Sequence, residues 1–363
     1  MNSKGHWKRP TAVGLAALLA GCWLVSEAGA GEPQTHYALV ANTLAKHVIP
    51  HVTQLKETAA ALPARVEAVC KTGDAAARDH LKAAFADVAK AWAGVEFLRF
   101  GPLAEAGRRE RFSFWPDPRG ITDRQLRQFL LGKDMTAIQG GNLAKQSAAI
   151  QGLPALERLM TDTEPPLGPG DDAKFHCAYA TAIAGNLAAI SSETADAWTK
   201  EGGWKDKMLR PGSDNDTYKE PAEAAADLLK SLLTGLQFIG DVELKPKLEA
   251  KDGNVPPGPF ARLKLSSDYY AAGVASLHQL YDAMQIESYL PDDKLWIKDW
   301  AKGAWHAMEA SDGAGGAGNG KKRVDTPPLR EVVSRLGGLR QLLGKEMASA
   351  AGLSIGFNEL DGD

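Results

Sequence analysis

The chain is poor in cysteine, in aromatic residues and in any excess of one charge: it has 3 cysteines and 7% aromatics, and 42 basic against 45 acidic side chains leave a net charge of −3. Without a basic surplus there is no uniform positive field for a phosphate backbone, so nucleic acid is excluded as a general partner. The cysteines are too few for a disulfide-built scaffold, and 363 residues can bury a full core without one. At 44% hydrophobic and 24% charged, the composition fits neither a disordered chain nor a multispan membrane protein. The Val/Ile/Thr alternation of half-buried strands is scarce. Apolar residues recur instead at steps of three and four, which predicts an all-α fold. No His-Glu-x-x-His and no P-loop occurs, so zincin and P-loop chemistry have no local signature.

What is present begins with an export signal over 1–30: Lys4, Lys8 and Arg9 precede the apolar run Thr11–Val25. That run is shorter than the roughly 20 residues that span a bilayer. Two endings are open. Leu19-Ala20-Gly21-Cys22 has the form of a lipobox, with lipidation at Cys22, and Ala28-Gly29-Ala30 has the small-x-small form of ordinary cleavage after Ala30. Either route places the mature chain in the periplasm or cell envelope, touching membrane only through a lipid anchor. Cys70 and Cys177 are then the remaining thiols. In an oxidising compartment they can pair, the alternative being two buried free thiols.

The periodicity divides the mature chain into two four-helix-bundle-like halves, 31–201 and 202–363, the second with a Gly-rich loop at 312–320. In the first half, helices are expected over about 36–70, kinked at Pro50 and Pro63, then 74–100, from a capping box at Thr122–Gln125, over 142–160, and from Asp171 or Asp172 onward. In the second they are expected from Pro221, over 260–289, 292–310 and 327–350.

Several polar residues break these patterns. On a helix continuing to Phe100, Glu96 and Arg99 fall beside the Val88, Trp92, Val95 stripe and face the bundle, either as a buried pair or as ligand-binding groups. Glu157 lies between Leu153 and Met160 on the apolar side of its helix, a second inward carboxylate just after the Gln151-Gly152-Leu153-Pro154 break. A pair with an arginine such as Arg99 would account for it. Inward carboxylates also build metal sites in bundles, although no Glu-x-x-His accompanies them here. The loop 108–120 combines Arg108, Arg109, Arg111 and Arg119 with Phe112, Phe114, Trp115 and Asp117. It suits recognition of a small anion or a chelate, or the covering of a bundle end. His47 and His51, four apart, share a helical face but lack a third ligand.

Trp92-Ala93-Gly94-Val95-Glu96-Phe97-Leu98-Arg99-Phe100-Gly101-Pro102, Phe114-Trp115-Pro116-Asp117, Gln151-Gly152-Leu153-Pro154-Ala155-Leu156-Glu157 and the closing Gly356–Asp363 together resemble the imelysin family of the peptidase M75 superfamily. The resemblance implies an all-α fold, a cell-envelope location, an association with iron acquisition and, in some members, metallopeptidase activity. The family signature Gly-x-His-x-x-Glu, a proposed metal site, falls on Gly152, Pro154 and Glu157. Proline stands where the family has histidine, so only Gly152 and Glu157 carry over.

The expectation is therefore a small-ligand, metal or chelate-binding envelope protein serving iron uptake. The candidate set is Glu96, Arg99, Arg111, Trp115, Asp117, Arg119, Gln151 and Glu157, with Glu157 the one candidate toward a divalent metal or iron, and envelope iron-uptake proteins are the implied partners. A peptidase and a purely structural protein are the alternatives, and the missing histidine weighs against the peptidase.

Overall fold

The computed structural model describes residues 35–250, 255–310, 329–356 and 360. The chain runs through α1 (His36–Thr43), α2 (Ile49–Ala60), α3 (Leu62–Thr72), α4 (Ala75–Ala93), α5 (Arg108–Phe112), α6 (Ile121–Gly132), α7 (Leu153–Thr161), α8 (Lys174–Thr199), α9 (Trp204–Leu209), α10 (Pro221–Gln237), α11 (Lys245–Glu249), α12 (Ser266–Met284), α13 (Trp296–Ala310), α14 (Leu329–Leu342) and α15 (Ala348–Ala350). No strand occurs among the described residues, and the protein is all-α. The export signal with Cys22, the 312–320 loop and residues 357–359 and 361–363 lie outside the described residues.

Local chemistry sets the helix ends. Asp74 accepts from the Ala77 N–H at 2.7 Å and opens α4. Glu220 and Glu223 form a reciprocal capping box around Pro221, the first residue of α10. Pro50 and Pro63 both sit in the first turn of a new helix, and the Leu44–Val48 turn before α2 widens to π geometry. A proline clashes with the carbonyl four residues back, and the wider turn relieves that clash.

The long α8 lies against α2, α3 and α7, while α4 packs on α2, α3 and α12, and α1 on α10 and α12. Helices from both sides of the expected 201/202 boundary thus share one core, in which Trp92, Trp198 and Trp305 are fully buried. Cys70 on α3 and Cys177 on α8 form a disulfide with a Cα separation of 5.7 Å, closing a loop of 107 residues.

Three expected helices are shorter in the structure. α4 ends at Ala93, not Phe100: the N–H groups of Gly94, Val95 and Leu98 bond carbonyls three residues back, and the Gly94 carbonyl accepts the Ser276 hydroxyl at 3.1 Å. The stretch from Asn142 is two 3₁₀ turns, Asn142–Lys145 and Ala148–Ile150, before α7 begins at Leu153. α12 starts at Ser266, since Phe260 and Lys264 take positive φ angles of 53° and 61° that no helix admits.

Candidate functional site

A cleft of about 410 Å³ opens between the Trp115–Gly120 loop, the first turns of α7, the end of the π-helical turn Phe238–Leu244 that continues α10, and the segment 256–262. Its volume is in the range of small-molecule sites. Trp115, Asp117 and Glu157, from the expected set, line it together with Asp123, Arg158, Glu243 and Arg262.

α7 delivers Glu157. Gly152 precedes it with no room for a side chain: a Cβ there would lie 2.5 Å from the Phe112 carbonyl oxygen and 2.8 Å from that of Arg111. Pro154 follows in the first turn, where its missing N–H leaves no hydrogen bond unmade, so the break read at Gln151–Pro154 is the start of a helix and does not weaken its ladder. Glu157 is 2% exposed and its Oε1 accepts the Leu263 N–H at 3.2 Å. Burial pushes its carboxyl above the usual carboxylate range, against the pull of that N–H, Arg262 and Arg158. Its neighbouring cations are these two and not Arg99.

Arg158 and Arg262 are both engaged with acids. The Arg158 guanidinium bonds Asp123, and Arg262 pairs with Asp162 at 2.6 Å and with Asp123 at 3.6 Å. The network ties α6, α7 and the 3₁₀ turn Ala261–Leu263 together along one wall. Asp117 is occupied as well: it accepts from the N–H groups of Ile121 and Thr122, each at 2.8 Å, and so caps α6. The expected Thr122–Gln125 box is not the cap, because Thr122 already lies inside the helix.

The other expected residues stand outside the cleft lining. Arg111 donates to Gln151 at 3.0 Å and to Asn186 at 3.2 Å, and the fully buried Gln151 donates to the Gln146 carbonyl at 2.7 Å. This is a polar tie between α5, α8 and the α7 approach. Arg119 is exposed, its carbonyl taking a bond from Arg124. Glu96 and Arg99 follow the end of α4. Glu96 accepts the Tyr269 hydroxyl at 2.5 Å, and the Arg99 guanidinium lies 5.1 Å above the Phe238 ring. Burial pushes the Glu96 carboxyl up to about 7, opposed by the Tyr269 bond and by the charges of Arg99 and Arg109.

Glu243, absent from the expected set, couples Glu96 to the cleft. It is 5% exposed, lines the cleft, and neither carboxylate oxygen has a hydrogen-bond partner. Burial and the charge of Glu96 push it well up, with Lys247 pulling the other way. The signal was in the sequence: Leu232, Leu236 and Ile239 continue by four to Glu243, the same phase argument that marked Glu157.

His47 and His51 stack with ring centroids 4.0 Å apart, away from the cleft lining. His47 Nε2 lies 2.9 Å from the Ser276 hydroxyl, and burial holds the ring down to about 3. Two catalytic-motif spellings, Gly-x-Ser-x-Gly and Gly-x-Gly-x-x-Gly, also occur in the sequence. Gly352-Leu353-Ser354-Ile355-Gly356 follows a helix where a nucleophile elbow needs a strand, and Gly313–Gly318 lies outside the described residues.

The fold and cleft define an all-helical protein with one mixed-charge pocket beside the Gly152–Glu157 turn. The family model for imelysin, peptidase M75, matches residues 48–311, and the chain belongs to that family. Its fold is similar to an imelysin-like protein from Psychrobacter arcticum 273-4, at 18% identity, TM-score 0.72, and coverage of 90% of this chain and 99% of that one. It is also similar to a protein from Parabacteroides distasonis ATCC 8503 named as an iron-regulated protein A precursor, at 15% identity, TM-score 0.63, and coverage of 88% and 96%. No curated protein sequence matches the chain.

The family's metal does not fit the residues present. Pro154 offers no side-chain donor, Asp117 and Asp123 are engaged in a cap and in ion pairs, and no three His, Cys, Asp or Glu side chains converge among the described residues.

Proposed function

We propose that the chain is a cell-envelope binding protein of the imelysin family that takes up an iron chelate in this cleft and passes it on unprocessed, in service of iron uptake. The observation that carries the reading is a set of buried polar groups with no partner at the cleft: both Glu243 oxygens and the Trp115 indole N–H on its lining, and the Tyr270 hydroxyl behind Gly258. Buried polar groups are nearly always satisfied, and a polar ligand would satisfy these. The arginines argue for a chelate over a simple anion, since Arg111, Arg158 and Arg262 already hold protein partners. The iron connection draws on the family and on the name of the Parabacteroides protein. The envelope location draws on residues 1–30, in lipid-anchored or soluble form, and no helix among the described residues is long and apolar enough to cross a membrane.

The test is calorimetric titration of the mature protein with ferrioxamine B, ferric citrate and citrate. Saturable one-to-one binding of a ferric chelate, weakened about tenfold or more in Glu157→Gln with the helical spectrum intact, supports the reading. Chelator-sensitive cleavage of casein by the wild type, lost in Glu157→Gln, would instead establish a peptidase.

A further inference from the structure

The cleft is acid-rich once its ion pairs are counted. Arg158 and Arg262 are neutralised by Asp123 and Asp162, and Asp117 is bound to two backbone N–H groups. Glu157 keeps one bonded oxygen, and Glu243 has two that accept nothing. Around Glu243 the charged and titratable groups are Glu96 beyond the end of α4, Lys247 on α11, and Tyr269 and Tyr270 on α12. Lys247 does not neutralise it: its ammonium lies 4.4 Å from the centre of the Tyr270 ring, and no Glu243–Lys247 ion pair forms among the described residues. The walls above are Trp115 and Phe260 with the prolines of both loops.

From this geometry we infer that Glu243 is the anchor for a cationic nitrogen, an ammonium or guanidinium arm of the bound ligand. A metal ion needs several converging donors and here meets one free carboxylate. An ammonium needs a few acceptors and tolerates aromatic faces, and the two Glu243 oxygens and the indole of Trp115 on the lining supply both. A neutral donor could bond the Glu243 carboxyl as it stands, but only a cation offsets the cost of ionising it in this buried place. Burial and Glu96 push this carboxyl up, so ion-pair formation with an arriving cation would pull it down again and release a proton to solvent. The inference rests on the cleft being a ligand site, but not on the ligand carrying iron.

The test uses small probes that contain no metal: n-butylammonium, n-butylguanidinium, n-butanol and butyrate, titrated by ligand-observed NMR into the mature protein and into Glu243→Gln. At least one cation should bind about tenfold more tightly than butanol and butyrate, and the preference should vanish in Glu243→Gln. Calorimetry in two buffers of different protonation enthalpy should show proton release with the cations. Butanol binding equal to the cations, preference for butyrate, binding of no probe, or full cation affinity in Glu243→Gln would each overturn the assignment. The wild-type probe series decides the matter if the variant does not fold. Cation binding without ferrioxamine binding would leave this inference standing and remove the chelate reading.

Discussion

His47 shows what a single buried residue costs. Its ring is fully buried beside Ser276 and is held down to about 3 from an ordinary value of 6.5. The unfolded chain therefore binds a proton that the folded chain refuses between those values, so this stability is present above about 6.5 and is lost as the pH falls toward 3. Between pH 7 and pH 5 the loss from His47 is about 2 kcal/mol. Glu96 works in the opposite sense over about 4.5 to 7, because its carboxyl is raised and the folded state holds the proton. The informative quantity is the difference: between pH 7 and 5 in urea unfolding, wild type should fall by about 2 kcal/mol relative to His47→Gln. Parallel slopes would mean that the ring is not excluded from water. Glu157 was legible in the sequence because its helix is regular from Leu153 onward, so its phase is true. Arg111 and Gln151 carried the right polarity for a site, but a sequence cannot show that they bond one another.

Among the elements, glycine and proline decide where helices stop, and there the sequence is least legible. Glu96 and Arg99 were placed by the phase of a helix that ends at Ala93, and their inward position comes from the turn that follows and from Tyr269. Glu243 continues the same stripe four residues beyond Ile239, but its helix widens into a π turn beyond Gln237, where α-helical spacing alone does not fix the facing of a side chain. Pro154 was legible as a break but not as a harmless first-turn residue. The close approach at Gly152 gives a sharp expectation. Gly152→Ala would put a methyl within 2.8 Å of two carbonyl oxygens, so it should lower the unfolding free energy by about 1–3 kcal/mol. It should also shift Glu157 enough to weaken ligand binding. A variant as stable as wild type would show that α5 and α7 are not packed this closely.

For the whole molecule, the all-α class followed from periodicity, but the packing of α1 and α4 against α10 and α12 did not, because contacts between distant segments leave no local pattern. The Cys70–Cys177 disulfide is the exception, a long-range link that the two remaining cysteines already offer in the sequence. A cross-link closing 107 residues restricts the unfolded chain by about 4–5 kcal/mol in the loop-entropy model. The double variant Cys70→Ala, Cys177→Ala should lose several kcal/mol in urea unfolding, and an unchanged midpoint would show that the bond adds nothing.

Binding of a chelate in this one cleft is checked by hydrogen–deuterium exchange of the mature protein with and without saturating ferrioxamine B. Slower exchange confined to the cleft-lining stretches 115–123, 154–158, 242–246 and 256–262 is the predicted result. No protection, or protection only on the remote groove along 41–57, would contradict it.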